Sequence, residues 1–219
     1  MEKQMITIAL FLVPFSSTFS QTHINTPVAF NINFKNRGYF YAASLPMASA
    51  SGLGGWGQSG NLYQPIELPS TFDKGKLSVL VDVNKPDLFA EKYQGYPLYV
   101  ANTRSDTVFF YAQDSRLNMK LQALDKDGVW KDIEYLPSSW CGNSYHQLYL
   151  PSGNYWKFTI PVYHGKIKTK IRAVLSFTNS IEGEEQLVYS NEFEGSINLG
   201  QFSKIPKYFP NGIMDPYNN

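Results

Sequence analysis

Three features of this sequence predict an all-β chain, an antiparallel β-sandwich with a loop-rich N-terminal extension. From Tyr96 onward, apolar and polar residues alternate with period two in one short segment after another, the pattern of strands that bury one face. Clusters of Gly, Pro, Asn, Asp and Ser separate these segments every eight to twelve residues or so, about the spacing of a sandwich. No stretch of about ten residues carries the period of an amphipathic helix.

The elements follow in chain order. Residues 1–20 read as an export leader: one lysine among the first four residues, an apolar run over 5–15 (MITIALFLVPF), then small residues before a cut ahead of Gln21. The run is shorter than the ~20 residues of a bilayer-spanning helix, and no later segment reaches that length. The mature chain is therefore expected outside the cytoplasm, periplasmic or extracellular, with no transmembrane segment. Residues 21–94 form the loop-rich region, with strands expected at 28–34 (VAFNINF) and 76–83 (KLSVLVDV). Between them, 46–60 (PMASASGLGGWGQSG) is too rich in Gly and Ser to gain from ordering and reads as a loop around Trp56. One short helical turn is expected within 86–94, and a soft boundary falls between Val83 and Tyr96.

The sandwich proper spans 95–202. Strands are expected at 97–102, 107–113, 118–124 and 129–136, the last two joined by Asp125-Lys126-Asp127-Gly128, a tip that tolerates a left-handed backbone. Further strands are expected at 145–150 and 155–163, joined at Pro151-Ser152-Gly153-Asn154, then at 166–177, 186–190 and 193–199, with a bulge at Gly195. On 166–177 one face carries Lys166, Lys168, Lys170 and Arg172. It reads as a solvated face that blunts a sheet edge, with the acidic loop 182–185 close enough to neutralise it. Residues 203–219 hold three prolines, show no periodicity and read as an irregular tail.

Nineteen basic and eighteen acidic residues leave a formal charge of +1, without the clustered basic excess of a nucleic-acid binder. The single cysteine, Cys141, cannot form an internal disulfide and is expected in the core. Paired with His146 it would be a candidate thiol nucleophile, but an odd spacing along strands sends the two to opposite faces. The Asp125–Gly128 turn imitates part of a calcium loop yet has Ala123 at the first ligand position and strands as flanks. The three histidines lack metal-ligand spacing, so no metal and no cofactor are expected.

The order PLYVANTRSDTVFFYAQDSRLNMKLQALDKDGVWKDIEY, SSWCGNSY, LPSGNYWKFTIP and VYSNEFEGSIN, over about residues 96–202, resembles a group of uncharacterised secreted proteins of Bacteroidetes-type bacteria with an immunoglobulin-like sandwich. The resemblance implies fold and export and carries no site residue. The functional expectation is an exported, non-enzymatic binding or scaffolding module that meets a protein partner through end loops or a sheet edge. The alternative is a carbohydrate-binding module reaching a cell-surface glycan through Trp56, Trp140 or Tyr145, since tyrosine and tryptophan rings stack on sugar C–H faces. A cysteine-dependent hydrolase is the remote third reading.

Overall fold

The computed structural model describes residues 26–46, 59–67, 71–137 and 144–205. The expected leader, the loop around Trp56, Trp140 with Cys141, and the tail beyond Ile205 lie outside the described residues. The described chain is an all-β, sandwich-like fold, and the alternation that predicted it is the alternation that builds it.

Strands β3 (Leu77–Val81), β5 (Tyr93–Asn102) and β12 (Asn154–Pro161) form the centre of one sheet, ordered β2-β12-β5-β3 with β2 (Gln64–Pro65) at its end; β4 (Asp87–Phe89) also pairs with β5. The second sheet is ordered β14-β13-β8-β9 and comprises β8 (Met119–Leu124), β9 (Trp130–Asp132), β13 (Ile167–Phe177) and β14 (Gln186–Tyr189). Strand β15 (Phe193–Ile197) pairs with β13 as well. The third sheet, β11-β6-β7, uses β6 (Val108–Gln113), β7 (Arg116–Leu117) and β11 (Tyr145–Leu150). Reciprocal backbone bonds between Phe109 and Thr178, at 3.0 and 2.8 Å, continue the second sheet into the third. Among the described residues, the one parallel strand pair joins β1 (Asn36–Arg37) to β10 (Glu134–Tyr135).

One face of each sheet closes on a shared core. Leu98, Val100, Trp156 and Ile160 come from the first sheet, Leu121, Ala173 and Leu175 from the second, Phe110, Leu148 and Leu150 from the third. Trp156 is wholly buried against Phe110, edge to face at 5.2 Å between centroids, and its indole N–H donates to Ala43 O at 3.0 Å. That bond satisfies the polar edge a buried tryptophan carries inward, and it ties the N-terminal segment to β12.

Four local expectations are corrected. Residues 28–34 do not form a strand: Val28 and Phe30 make isolated parallel bridges to Tyr93 and Tyr163. Asn31 and Asn33 are drawn away by side-chain bonds to Asn198 and to Gly200 N, at the 3₁₀ turn Leu199–Phe202. Residues 86–94 form the β4–β5 hairpin, with Ala90 and Glu91 at φ of 48° and 57°. The bulge falls between Tyr189, opposite Val174, and Phe193, opposite Ile171, while Gly195 sits in regular register with Thr169. A Cβ on Gly195 would lie 2.5 Å from Ile171 Cδ1, so the glycine is there for close packing. Finally, β13 is no edge. Strands β8 and β14–β15 flank it, Lys170 pairs with Glu192 at 3.0 Å, and Glu185 of the acidic loop turns to Ser176 and Asn118.

Candidate functional site

Of the three residues nominated for ligand contact, Trp56 and Trp140 lie outside the described residues. Tyr145 opens β11 with 54% of its surface exposed. Its neighbour His146 points the other way and is buried, Nδ1 lying 3.1 Å from Ser144 O. Burial lowers the imidazole pKa, which keeps the ring neutral around neutral pH. The alternation that turns Tyr145 outward thus turns His146 inward.

Tyr145 belongs to an aromatic and amide face on the outside of the third sheet. Facing pairs across β6 and β11 are Phe109 with Tyr149, Tyr111 with Gln147, and Gln113 with Tyr145. Tyr111 and Tyr145 are therefore diagonal neighbours, at about 7–8 Å between backbone positions, and both rings are exposed. Beyond Gln113 the chain reverses through Asp114 and Ser115, at φ of 46° and 67°, the two left-handed residues that a tight hairpin demands. Arg116 thereby returns opposite Gln113, buried, and donates to Gln113 Oε1 and to Pro137 O at 2.6 Å. Gln113 Nε2 in turn reaches the Tyr145 hydroxyl at 3.3 Å. The result is a pocket of about 260 Å³ between the two tyrosines, floored by Gln113, Arg116 and Asn118. Tyr111 escaped the sequence reading because it sits in VFFYA, where apolar side chains face both ways.

The sheet edges form the second candidate surface. Several are closed by side chains. The Ser44 hydroxyl donates to Tyr149 O at 2.7 Å and accepts from Tyr149 N at 2.9 Å, occupying the outer edge of β11. On the outer edge of β12, Asn61 takes Lys157 O at 2.9 Å and Pro161 has no N–H to offer. At β3, Asn191 imitates a strand, accepting from Val81 N at 2.8 Å and donating to Val81 O at 3.1 Å.

Toward the start of β3 the edge opens. Thr103 N donates to Lys76 O and Asp82 N to Pro97 O, so even-numbered residues of β3 bond inward to β5 while Leu77, Val79 and Val81 direct their backbone groups outward. On β14, Ser190 N donates inward to Ala173 O at 3.0 Å, and by the same alternation Leu187 and Tyr189 face outward. The two edges meet at the parallel bridge between Val79 and Ser190. Beside that bridge lies a groove of about 340 Å³ lined by Leu77, Ser78, Val188 and Tyr189, with Phe72 and Lys76 at its wall. The Ser78 hydroxyl is buried with no hydrogen-bond partner among the described residues.

Inside the fold, Glu134 is fully enclosed. It accepts from Leu121 N at 2.9 Å and from the Tyr163 hydroxyl at 3.1 Å. Burial pushes its carboxyl up from an ordinary 4.5 to about 7, against the lowering effect of those two donors. The Asp125 carboxylate, at the tip read from sequence as a hairpin turn rather than a calcium loop, accepts from Asp127 N and Val129 N at 2.9 Å each and pairs with Lys131 at 2.6 Å.

No family model matches the chain, and no curated protein does. Among solved structures, a candidate ApaA protein from Bordetella pertussis is similar over 57% of this chain and 98% of its own, at 14% identity and a TM-score of 0.36. A likeness that distant carries neither fold nor function. Among the described residues no helix is long and apolar enough to cross a membrane.

Proposed function

We propose that this chain is an exported, non-enzymatic binding module that takes an extended segment of a protein partner by strand addition between β3 and β14. One observation carries the reading: two sheet edges face each other across an open groove with outward backbone groups at Leu77 and Leu187, while the edges of β11 and β12 are occupied by Ser44 and Asn61. Natural sheets that must not recruit strangers blunt their edges. A pair of edges that stays open here, with a hydroxyl at its wall that has no partner among the described residues, suits a surface meant to be filled. An added strand would draw affinity from main-chain bonds and select its sequence through the side chains that meet Phe72, Val188 and Tyr189.

The test is a panel of displayed ten-residue peptides selected against the full chain, followed by Leu187→Pro. Leu187 N–H faces outward, so proline there leaves the β13 ladder intact and removes one donor from the slot. Selected peptides are expected to lose about tenfold in affinity, the equivalent of one hydrogen bond. Peptides that bind the variant unchanged, or a panel that yields no binder, would reject strand addition here.

A further inference from the structure

The geometry points to a second, independent site: the Tyr111–Tyr145 pocket on the outer face of the third sheet takes one uncharged hexose ring of a glycan. Four features converge on that ligand. The two exposed tyrosines stand diagonally across β6 and β11 and offer ring faces on which the axial C–H side of a pyranose stacks. Between them the floor is made of planar amides, Gln113 and Asn118, whose paired donor and acceptor suit vicinal hydroxyls.

The third feature is preorganisation. Arg116 is held by Pro137 O and grips Gln113 Oε1, which turns Gln113 Nε2 toward the Tyr145 hydroxyl; Asn118 Nδ2 is fixed on Glu185 Oε1 at 3.1 Å. Side chains fixed in this way lose little entropy when a ligand arrives. The fourth is size and charge. A volume of about 260 Å³ falls just below the ~300–1,000 Å³ of sites for drug-sized ligands, room for one ring rather than a folded chain. The guanidinium donates to Gln113 and Pro137, and the Glu185 carboxylate accepts from Ser176 and Asn118, so both charged groups already hold hydrogen-bond partners within the fold and the amides are left to meet a neutral ring.

Saturation-transfer NMR on the full chain tests this with methyl β-glucoside and methyl β-galactoside as neutral probes, and methyl β-glucuronide and methyl β-glucosaminide as charged ones. Transfer to the ring protons of at least one neutral glycoside is expected. Tyr111→Leu and Tyr145→Ala should each reduce it at least fivefold, Tyr145→Phe should keep most of it, and Leu187→Pro should leave it unchanged because the groove lies elsewhere. Both tyrosines are surface residues, and unchanged melting temperatures would show that the variants fold. Silence from both neutral probes, transfer from the charged probes alone, or equal transfer in all variants would overturn the assignment. Failure of the peptide selection would leave this outcome untouched, since the two sites share no residue.

Discussion

A buried carboxyl raised to about 7 is a statement about stability. The unfolded chain releases the Glu134 proton near its ordinary 4.5, whereas the folded chain holds it to about 7. Between those values the folded state binds more protons at this group than the unfolded one, so the contribution of Glu134 to stability is full below pH 4.5 and is lost as pH rises toward and through 7. The full difference is on the order of 3 kcal/mol. The charged neighbours facing it are Asp132, which raises the value, and Lys120, which lowers it. Glu134→Gln keeps an acceptor for Leu121 N and offers an amide donor to the Tyr163 oxygen, as a protonated carboxyl would. Chemical denaturation from pH 4 to 8 is expected to show this slope in the native chain and a markedly flatter one in the variant. Equal slopes would mean that Glu134 does not govern it.

At the scale of elements, β13 shows how a face that reads as bare charge is held. Arg172 lies between the rings of Trp130 and Tyr189, its guanidinium carbon 4.2 and 4.1 Å from their centroids, and its Nε donates to Gln122 Oε1 at 3.1 Å. The ladder joins β9, β8, β13 and β14 across the outside of the second sheet. At about 0.5–1 kcal/mol per exposed cation–π contact, Arg172→Ala is expected to lower unfolding free energy by about 1–2 kcal/mol. Lysine there should recover only part of the loss, because a point ammonium cannot stack flat on two rings. Gly195 gives a second test. Gly195→Ala should destabilise by about 1–3 kcal/mol through overpacking on Ile171, and Ile171→Val, which removes the Cδ1 atom in the way, should return part of it in the double variant. An additive pair would remove the close contact from the account.

For the molecule as a whole, the sequence was most readable where burial is one-sided. Leu77, Val79 and Val81 on β3, and Met119, Leu121 and Ala123 on β8, enter the core while their even-numbered neighbours stay outside, so period two was visible without coordinates. It failed at 28–34, whose alternation is just as clean, because Asn31 and Asn33 bond to the distant 198–200 segment, a tertiary choice that no local pattern records. It misplaced the bulge because a strand glycine signals either a bulge or a close approach, and only Ile171 overhead decides which. Tyr145 could be named from alternation alone. Its companions Tyr111, Gln113 and Arg116 could not, since the register that gathers them depends on the Asp114-Ser115 reversal. The open groove was least visible of all, because an edge is a property of strand order and strand order is not written along the chain.

The account rests most heavily on that groove, and residue-resolved amide hydrogen exchange on the unliganded chain reads it directly. Leu77 and Leu187, whose N–H groups face the slot, are expected to exchange much faster than Ser78, Leu80, Val188 and Ser190, which donate inward, and to become protected when a selected peptide binds. Slow exchange at Leu77 and Leu187 in the free protein, matching their inward neighbours, would show that the slot is already filled and would contradict the account.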